Sequence, residues 1–353
     1  MEGNPDESDG TGSKQSWNIL MKAIVCTKYG RPDGLKLEEV PKPTPGNDEV
    51  LVKVYAASVT FSNLALVSGK PFLARLGFGL TKPKIRIPGS DVAGRVEAVG
   101  RYVKQFLPGD EVFGDLSRCG NGSYAEYVSV PENALAKKPA NLSFEEAAAV
   151  PEASLVALQA LCDKGHIQKG QNVLIYGASG GNGTFAVQIA RYFGAEVTGV
   201  CSTRNLDMVR SIGADHVIDY TQEDFTQNGQ RYDLILATAG YRSIFDYKRA
   251  LSPRGIYVAT GGSMRGPKAM AQIYQALLLG PLISMTGSKK MGSMLVEPNK
   301  GLDFMKELIE AGKVKPVIDR CYPLRETAEA LRYYGEGHAR GKVVITVGQD
   351  NNT

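Results

Sequence analysis

The residues with the clearest chemical meaning are the glycines of GASGGNG (177–183), which lie between the apolar run NVLIY and a segment with helical spacing. From Ala178 to Gly183 the chain fits the pattern G-x-G-x-x-G, with alanine in the first position. Gly180 would let the backbone approach a pyrophosphate, and Gly183 would let a helix pack closely on a strand. The flanking strand and helix favour a dinucleotide site over the alternative, a purely structural turn. The predicted pyrophosphate contacts are Gly180, Gly181, Asn182 and Gly183.

The end of the next strand indicates which dinucleotide would bind. Sites for NAD usually place an acidic residue there, which accepts a hydrogen bond from the ribose 2′-hydroxyl. Here the strand ends in CSTRN (201–205), and no carboxylate appears before Asp207. Ser202 and Thr203 could donate to a 2′-phosphate, and Arg204 could pair with it as a charged fork. The sequence therefore predicts NADP(H), with a solvated helix-start arginine as the alternative role for Arg204.

Strands and helices alternate on both sides of the glycine cluster. NVLIYGA (172–178) is a continuous apolar run, as expected of a strand that is buried on both faces. The alternation predicts a parallel, doubly wound sheet of the Rossmann type. The other predicted elements are strands at 196–202, 216–220, 233–240 and 255–261, and helices at 205–214 and 243–251.

Open α/β sheets bind ligands at the carboxyl ends of their strands. Tyr220 follows the third strand and could stack near an adenine. Two later strands end in small residues at the same edge. The predicted cofactor contacts from these strands are Ala239, Gly240, Thr260 and Gly261.

The chain on either side of this region is rich in strands. Residues 22 to 135 show β-branched or alternating segments, and no long helical period appears before the capping-box pattern of Ser143 and Glu146. After residue 300, one helical segment is followed by two strand-like segments. A chain of 353 residues favours two domains. We predict a disordered tail at 1–21, a β-rich catalytic domain at 22–150 and 289–353, and a dinucleotide-binding domain at 151–288.

Composition excludes several classes of function. The net charge is +4 with no long basic run, so nothing supports nucleic-acid binding. The five cysteines are far apart and form no CxxC pair, which favours a reducing compartment over a disulfide framework. The first twenty residues lack the features of a signal or transit peptide. The longest apolar stretch, 269–285, is interrupted by Gln272 and Gln275, and we expect a helix to end at Gly280-Pro281. A buried helix followed by a strand is expected there, with a membrane-surface helix as the alternative. We therefore predict a cytoplasmic protein without a transmembrane segment.

Several motifs together resemble the medium-chain dehydrogenase/reductase superfamily, in particular its zinc-free quinone oxidoreductase (zeta-crystallin-like) branch. They are the run from residue 172 to 220, PGSDVAGRVEAVG (88–100), PGDEVFG (108–114), GSYAEYVSV (122–130) and HARGKVVITV (338–347). The resemblance implies a GroES-like β-rich domain, a Rossmann domain and a substrate cleft between them. It also implies a homodimer joined through the edge strands of the Rossmann sheets, here LISMTGSKK (282–290).

The motifs differ from those of the zinc-dependent relatives. The place of their Gly-His-Glu motif is held by Gly89-Ser90-Asp91, and ASVTFSN (57–63) lacks their first zinc cysteine. The chain also lacks their four-cysteine structural loop, and only three histidines occur. We therefore predict no metal ligand, and alcohol oxidation at a zinc ion is the less favoured alternative.

The resemblance also indicates candidate catalytic residues. The reductase branch commonly has Asn and then Asp in its first-domain cleft motif, and here Thr60 and Asn63 hold those places. Thr60 could hydrogen-bond the nicotinamide ribose or the substrate. Ala237 stands at a strand position where this branch of the superfamily often has Asp. For Tyr124 a packing role is favoured over a place in the cleft.

Two charged residues, Asp91 and Lys342, are further candidates for a role near the cleft. Asp91 is expected to cap a turn or pair with a cation. Lys342 could neutralise a phosphate or a carboxylate across the cleft, or form an exposed salt bridge.

The predicted activity is hydride transfer from NADPH to a quinone or an α,β-unsaturated carbonyl, a small electrophilic substrate. The alternative from another class is a structural or interaction protein that binds NADPH with little turnover.

Overall fold

The computed structural model describes residues 19–239, 242–262 and 271–348. Residues 1–18 of the predicted tail lie outside this range, and the first strand begins two residues before the expected position 22. The strands are β1 (Leu20–Val25), β2 (Lys36–Pro41), β3 (Glu49–Val59), β4 (Asp91–Val99), β5 (Glu111–Asp115), β6 (Tyr127–Pro131), β7 (Ala136–Lys137), β8 (Asn172–Tyr176), β9 (Glu196–Cys201), β10 (His216–Asp219), β11 (Tyr232–Ala237), β12 (Leu251–Ala259), β13 (Lys290–Ser293), β14 (Ile318–Pro323) and β15 (Lys342–Thr346).

Two helices lie where only strands were expected, and the longer of them follows Thr60. The segment after Thr60 is a helix because Thr60 caps it, yet residues 63 to 67 are all buried, so no amphipathic period marks it in the sequence. The helices are α1 (Phe61–Ser68), α2 (Arg75–Phe78), α3 (Phe144–Ala148), α4 (Pro151–Gln159), α5 (Gly181–Tyr192), α6 (Leu206–Ser211), α7 (Ile244–Ala250), α8 (Ala271–Thr286), α9 (Leu302–Glu310) and α10 (Thr327–Gly335). The predicted capping box of Ser143 and Glu146 is confirmed at the start of α3.

The β-rich sheet contains strands from both ends of the chain. Its order is β14-β15-β3-β4-β5-β7, and β6 also pairs with β3. Strand β15 runs antiparallel to β3, with Val343 opposite Val59. This pairing places Lys342 of β15 beside the end of β3, where Thr60 follows.

The second sheet has six parallel strands in the order β10-β9-β8-β11-β12-β13, which confirms the predicted doubly wound fold. The chain proceeds outward from β8 in both directions, so the order reverses between β8 and β11. A crevice opens at such a point beyond the carboxyl ends of the strands. The glycine cluster 177–183 comes directly after β8 and lies at this crevice.

The continuous apolar run of β8 follows from burial of both its faces. Val173 and Ile175 pack in a core with Phe185 of α5. Leu174 and Tyr176 point to the opposite face and pack with Tyr247 of α7. A strand with helices on both sides therefore needs apolar side chains at every position.

The expected edge strand at 282–290 is wrong. Helix α8 continues to Thr286 with Pro281 inside it, and the edge strand is β13, which pairs with β12. Gly280 explains the close fit of helix and strand, because a Cβ there would lie 2.6 Å from the carbonyl oxygen of Met291. The Gly-Pro pair therefore permits close packing in this helix and does not end it.

The boundary predicted at 288 is too early for the same reason. Strand β13 belongs to the parallel sheet, and Met305 and Ile309 of α9 pack in the same core as α5. The chain rejoins the β-rich sheet with β14, at Ile318.

Candidate active site

The turn after β8 forms the glycine-rich start of helix α5. A Cβ on Gly183 would lie 2.1 Å from the carbonyl oxygen of Gly177, so this helix packs directly on the turn. Gly180 is the N-cap of α5, and a Cβ there would find its nearest neighbour at 3.5 Å. The tight turn itself is at Gly177, which has a φ of +86°. The close packing expected of Gly183 is therefore present, the space beside Gly180 is open, and Gly177 takes the turn position that was assigned to Ala178.

A cavity of about 410 Å³ extends from this turn into the space between the two sheets. Both domains contribute to its wall, and Gly341 of the β-rich domain donates its N–H to the carbonyl of Ser179 in the glycine turn. Most of the predicted site residues line this cavity: Thr60, Gly180, Gly181, Asn182, Ser202, Arg204, Tyr220, Ala239, Thr260 and Gly261.

Three of the predicted residues that the structure describes are not part of the cavity wall. Gly183 is buried in the first turn of α5, against Gly177, and Asn63 is fully buried behind Thr60. Thr203 is exposed, and its hydroxyl donates to Asp219. Gly240 lies outside the described residues.

The end of the cavity near β9 is lined by Arg204, and the exposed Arg340 lies beside it. Arg204 donates from Nη2 to the carbonyl oxygen of His338 at 2.6 Å. Arg340 donates in turn to the carbonyl oxygen of Arg204, also at 2.6 Å. Arg340 was missed because it lies in a distant part of the chain, although its motif HARGKVVITV was recognised. Together they bring two positive charges to the place predicted for a 2′-phosphate.

The hydroxyl of Thr203 is already hydrogen-bonded to a neighbouring carboxylate. Its hydroxyl donates to Asp219, at the end of β10, and this bond, with those from Thr221, holds the pKa of the Asp219 carboxyl below its usual range. The predicted bond from Thr203 to a phosphate would therefore have to replace an existing one. The hydroxyl of Ser202 accepts from Asn205 Nδ2 at 3.2 Å and keeps its own proton to donate.

Asn205, Ser179 and Thr238 are further cavity residues that sequence reasoning missed. Asn205 is 4% exposed and donates to Ser179 Oγ at 3.0 Å. Its Oδ1 atom has no hydrogen-bond partner among the described residues. An unpaired buried acceptor costs free energy, so this atom is suited to a ligand that donates a hydrogen bond. The orphaned acceptor and the glycine turn both fit a dinucleotide.

The opposite end of the cavity contains the candidate catalytic pair. Thr60 and Asn63 form a capping box at the start of α1, in which each side chain accepts from the other's backbone N–H at 3.3 Å. Asn63 also accepts from the Tyr124 hydroxyl at 3.0 Å. Thr60 therefore faces the cavity, and Asn63 supports it from behind.

Tyr124 has the packing role that was favoured for it. Its side chain is fully buried, and burial raises the pKa of its hydroxyl well above the usual value. The hydroxyl contacts Asn63 and the carbonyl of Ser58, so it stays within the β-rich domain.

Asp91 and Lys342 form a buried ion pair at the base of this end. Lys342 Nζ lies 3.3 Å from Asp91 Oδ2, and the two residues are 4% and 0% exposed. The exposed salt bridge considered for Lys342 is therefore wrong. Asp91 also accepts from Ser58 Oγ at 2.6 Å and from the backbone N–H of Glu152 at 3.0 Å, so it caps the start of α4 as well as pairing with a cation.

Glu152 is the main cavity residue that sequence reasoning missed. It follows Pro151 at the start of α4, and its Oε2 atom accepts from Ser62 Oγ at 2.9 Å and from Ser90 Oγ at 3.2 Å. Burial and the charge of Asp91 raise the pKa of the Glu152 carboxyl, and Lys342 opposes the shift only in part. A carboxylate within the apolar run AAAVPEASLV was the available signal.

These residues do not fit the zinc site of the zinc-dependent relatives. Ser90 holds the place of their histidine, and its hydroxyl is bonded to Glu152 and Asn63. Asp91 is paired with an ammonium group. Across residues 19–239, 242–262 and 271–348, no group of three or more His, Cys, Asp or Glu side chains is arranged to hold a metal ion.

Two protein families match separate parts of the chain. Residues 46–140 match the alcohol dehydrogenase GroES-like domain, and residues 212–345 match a family described as zinc-binding dehydrogenase. A chloroplast envelope quinone oxidoreductase homolog from Arabidopsis thaliana is 35% identical, over 92% of this chain and 98% of its own length.

Other similarities also extend over most of the chain. The chloroplastic NADPH-dependent alkenal/one oxidoreductase of Arabidopsis thaliana is 34% identical, over 92% of this chain and 79% of its own length. The solved structure of the quinone oxidoreductase from Coxiella burnetii has a TM-score of 0.80 and 29% identity, and covers 93% of this chain and 100% of that one.

The sheet order, the glycine turn at the switch point and the similarity over nine-tenths of the chain agree with one another. We find no helix in the described part of the chain that could cross a membrane. The chain therefore belongs to the medium-chain dehydrogenase/reductase superfamily, in its quinone oxidoreductase-like branch.

Proposed function

We propose that the protein is an NADPH-dependent, zinc-independent oxidoreductase that reduces a quinone or an α,β-unsaturated carbonyl. One observation carries the proposal: a single cavity joins the glycine turn and Arg204 to Thr60, whose hydroxyl bonds those of Ser62 and Ser90. A bound NADPH would supply the hydride. Relatives are named quinone oxidoreductase and alkenal/one oxidoreductase, which supports this class of acceptor.

The residues of the chain would bind the coenzyme and orient the acceptor. The first-turn N–H groups of α5, helped by the helix dipole, would hold the pyrophosphate. Arg204, Arg340 and Ser202 would meet the 2′-phosphate. At the other end, the hydroxyl of Thr60 would donate to the acceptor oxygen as negative charge develops there.

Turnover distinguishes this proposal from its alternatives. Steady-state NADPH oxidation is measured with a panel of enones and quinones, and NADH and primary alcohols with NADP⁺ are run beside them. We expect NADPH oxidation with at least one enone or quinone, and none with alcohols. Tight NADPH binding without any turnover would support the structural or interaction protein, and alcohol oxidation that depends on added zinc would support the alcohol dehydrogenase. The cytoplasmic location remains a prediction, and several relatives are named chloroplastic or mitochondrial.

Arg204→Ala should weaken NADPH binding by about 1.5–3 kcal/mol, the contribution of hydrogen bonds to a charged group, or about 10- to 150-fold in Kd. Binding of NADH should change little, because it lacks the 2′-phosphate. Fluorescence titration with both coenzymes measures the two effects.

The control for this prediction is Arg204→Gln, which keeps a donor for the His338 carbonyl but removes the charge. It should lose NADPH affinity as Arg204→Ala does. Equal losses for NADPH and NADH would show that Arg204 acts by joining the two domains and not by contacting the phosphate.

We also propose that the protein is a homodimer joined through β13 and α8. Within the described residues β13 pairs only with β12, so its other edge is open. The adjacent helix exposes large apolar side chains, with Leu278 and Met285 70% and 83% exposed. Such an open edge and apolar face are expected to be covered by another chain.

Leu278→Glu combined with Met285→Glu should convert the dimer to a monomer, because charges do not tolerate burial without partners. Size-exclusion chromatography with light scattering measures the mass. Leu107→Glu is the matched control, since Leu107 is 71% exposed but lies in the other domain. A wild-type monomer, or a dimer that survives the double change, would contradict the proposed interface.

A further inference from the structure

We propose that Glu152 is the proton source of the site and acts through the hydroxyl of Thr60. The inference rests on the proposed reductase function and identifies the group that would supply the proton of that reaction. Reduction of an enone or a quinone requires a proton as well as a hydride. The described residues around Thr60 contain a continuous path that could supply that proton.

The path consists of three hydroxyl groups and one carboxyl. Thr60 Oγ1 lies 2.7 Å from Ser62 Oγ and 3.3 Å from Ser90 Oγ. Both serine hydroxyls also bond Glu152 Oε2, at 2.9 and 3.2 Å. A single serine hydroxyl therefore separates the carboxyl from Thr60 on either route. Rotation of these hydroxyls reverses the direction of donation, so a proton on Glu152 can be passed on to Thr60.

The surroundings favour a proton on this carboxyl. Asp91 already uses the ammonium group of Lys342, the Ser58 hydroxyl and the Glu152 backbone N–H. Among the described residues, the carboxyl group of Glu152 receives hydrogen bonds only from neutral hydroxyls. Burial and the nearby negative charge of Asp91 raise its pKa, which is the environment that keeps a carboxylic acid available as a donor. The titratable and charged groups that face it are Asp91, Asp115, Lys342, Tyr124 and Tyr334.

Reduction of an enone by this route adds one hydride and one proton to the substrate. The β-carbon gains a hydride from the coenzyme, and the α-carbon or the carbonyl oxygen gains the proton of the Thr60 hydroxyl. Thr60 regains a proton from Ser62 or Ser90, and that serine regains one from Glu152. The ionised carboxyl then takes a proton from water in the open cleft after the product leaves. The net reaction consumes one NADPH and one proton for each enone reduced.

The test compares Glu152→Gln with the wild-type protein, using 2-cyclohexenone or a related enone as acceptor. We expect kcat to fall about 10²-fold or more, the usual contribution of a positioned acid, while KM and the Kd for NADPH change less than twofold. The wild-type kcat should decrease as pH rises through the raised pKa of Glu152, and this decrease should be absent from Glu152→Gln. Glu336→Gln, on the exposed end of α10, is the matched control and should behave as wild type.

Two further variants test the path. Thr60→Val should lose kcat as Glu152→Gln does, and Thr60→Ser should retain most of it, because serine keeps the hydroxyl. Glu152→Asp keeps the acid but shortens its reach, so it should show an intermediate kcat and retain the pH dependence.

A readout that does not depend on turnover is the infrared C=O band of a protonated carboxyl. We expect the difference spectrum of wild type minus Glu152→Gln to contain this band at neutral pH and to lose it at high pH. The subtraction removes the band of Asp115, because burial raises the pKa of that carboxyl to about 7 in both proteins. A wild-type kcat and pH profile in Glu152→Gln, or no such band, would overturn the inference while leaving the reductase function in place. Absence of NADPH oxidation with every acceptor in the wild-type protein would overturn the proposed function and the proton path together.

Discussion

Lys342→Met is expected to lower the free energy of unfolding by about 3–5 kcal/mol at pH 8, because it removes one partner of a buried ion pair. Lys342 Nζ and Asp91 Oδ2 are 3.3 Å apart and almost fully excluded from water. Methionine keeps most of the lysine stem, which packs beside Gly181, so the loss would report the missing charge. Chemical denaturation followed by circular dichroism measures it.

The loss should also depend on pH. Burial and the charges of Asp91 and Glu152 raise the pKa of Asp115 to about 7, and the pKa of Glu152 is raised as well. Carboxyls with raised pKa contribute stability at low pH and lose it as pH rises through their folded-state pKa. Without the lysine, ionising this cluster becomes more costly, so the deficit of Lys342→Met should be larger at pH 8 than at pH 5.

The double variant Lys342→Met/Asp91→Asn is the control for this prediction. It removes the unpaired carboxylate together with the ammonium group, so it should recover part of the lost stability. A deficit below about 1 kcal/mol at pH 8 for the single variant would mean that the pair is not excluded from water as the structure shows.

The parallel sheet could be predicted because its signals are local. Residues 173 to 176 are all buried and largely apolar since both faces of β8 are covered, and the turn at 177–183 carries its glycines close together. The order of strands then follows from the few right-handed connections that such a pattern allows. The edge was misplaced because Pro281 was expected to end a helix, whereas α8 contains it.

The end of the site proposed for the acceptor is formed by contacts between residues that are distant in the sequence, and no local sequence pattern predicts such contacts. Glu152 contacts Ser62 and Ser90, which lie 90 and 62 residues before it in the chain. Lys342 and Asp91 are also far apart in the sequence. The resemblance pointed to Asn63 as a catalytic residue, but its burial behind Thr60 appears only when β3, β4 and α1 are assembled. Sequence reasoning therefore named more of the cavity residues proposed for the coenzyme than of those proposed for the acceptor.

The second large effect is expected for Gly183→Ala, which should lower the free energy of unfolding by about 3 kcal/mol. A Cβ there would lie 2.1 Å from the carbonyl oxygen of Gly177 and 2.8 Å from the Cα of Ala178. Both atoms belong to the backbone, so no side chain can rotate away, and either α5 or the turn must move. Thermal unfolding measures the loss of stability, and NADPH binding should fall with it because the turn is displaced.

Gly180→Ala separates packing from ligand contact. Gly180 has φ −83° and ψ 174°, which alanine adopts freely, and a Cβ there would be 3.5 Å from its nearest neighbour. The stability should therefore change by less than about 0.5 kcal/mol. If Gly180 lets the backbone approach a pyrophosphate, its added methyl group should still weaken NADPH binding, by about tenfold or more. A variant that is both stable and unimpaired in NADPH binding would show that the pyrophosphate does not approach Gly180, and the role of the turn would then be limited to packing α5 on β8.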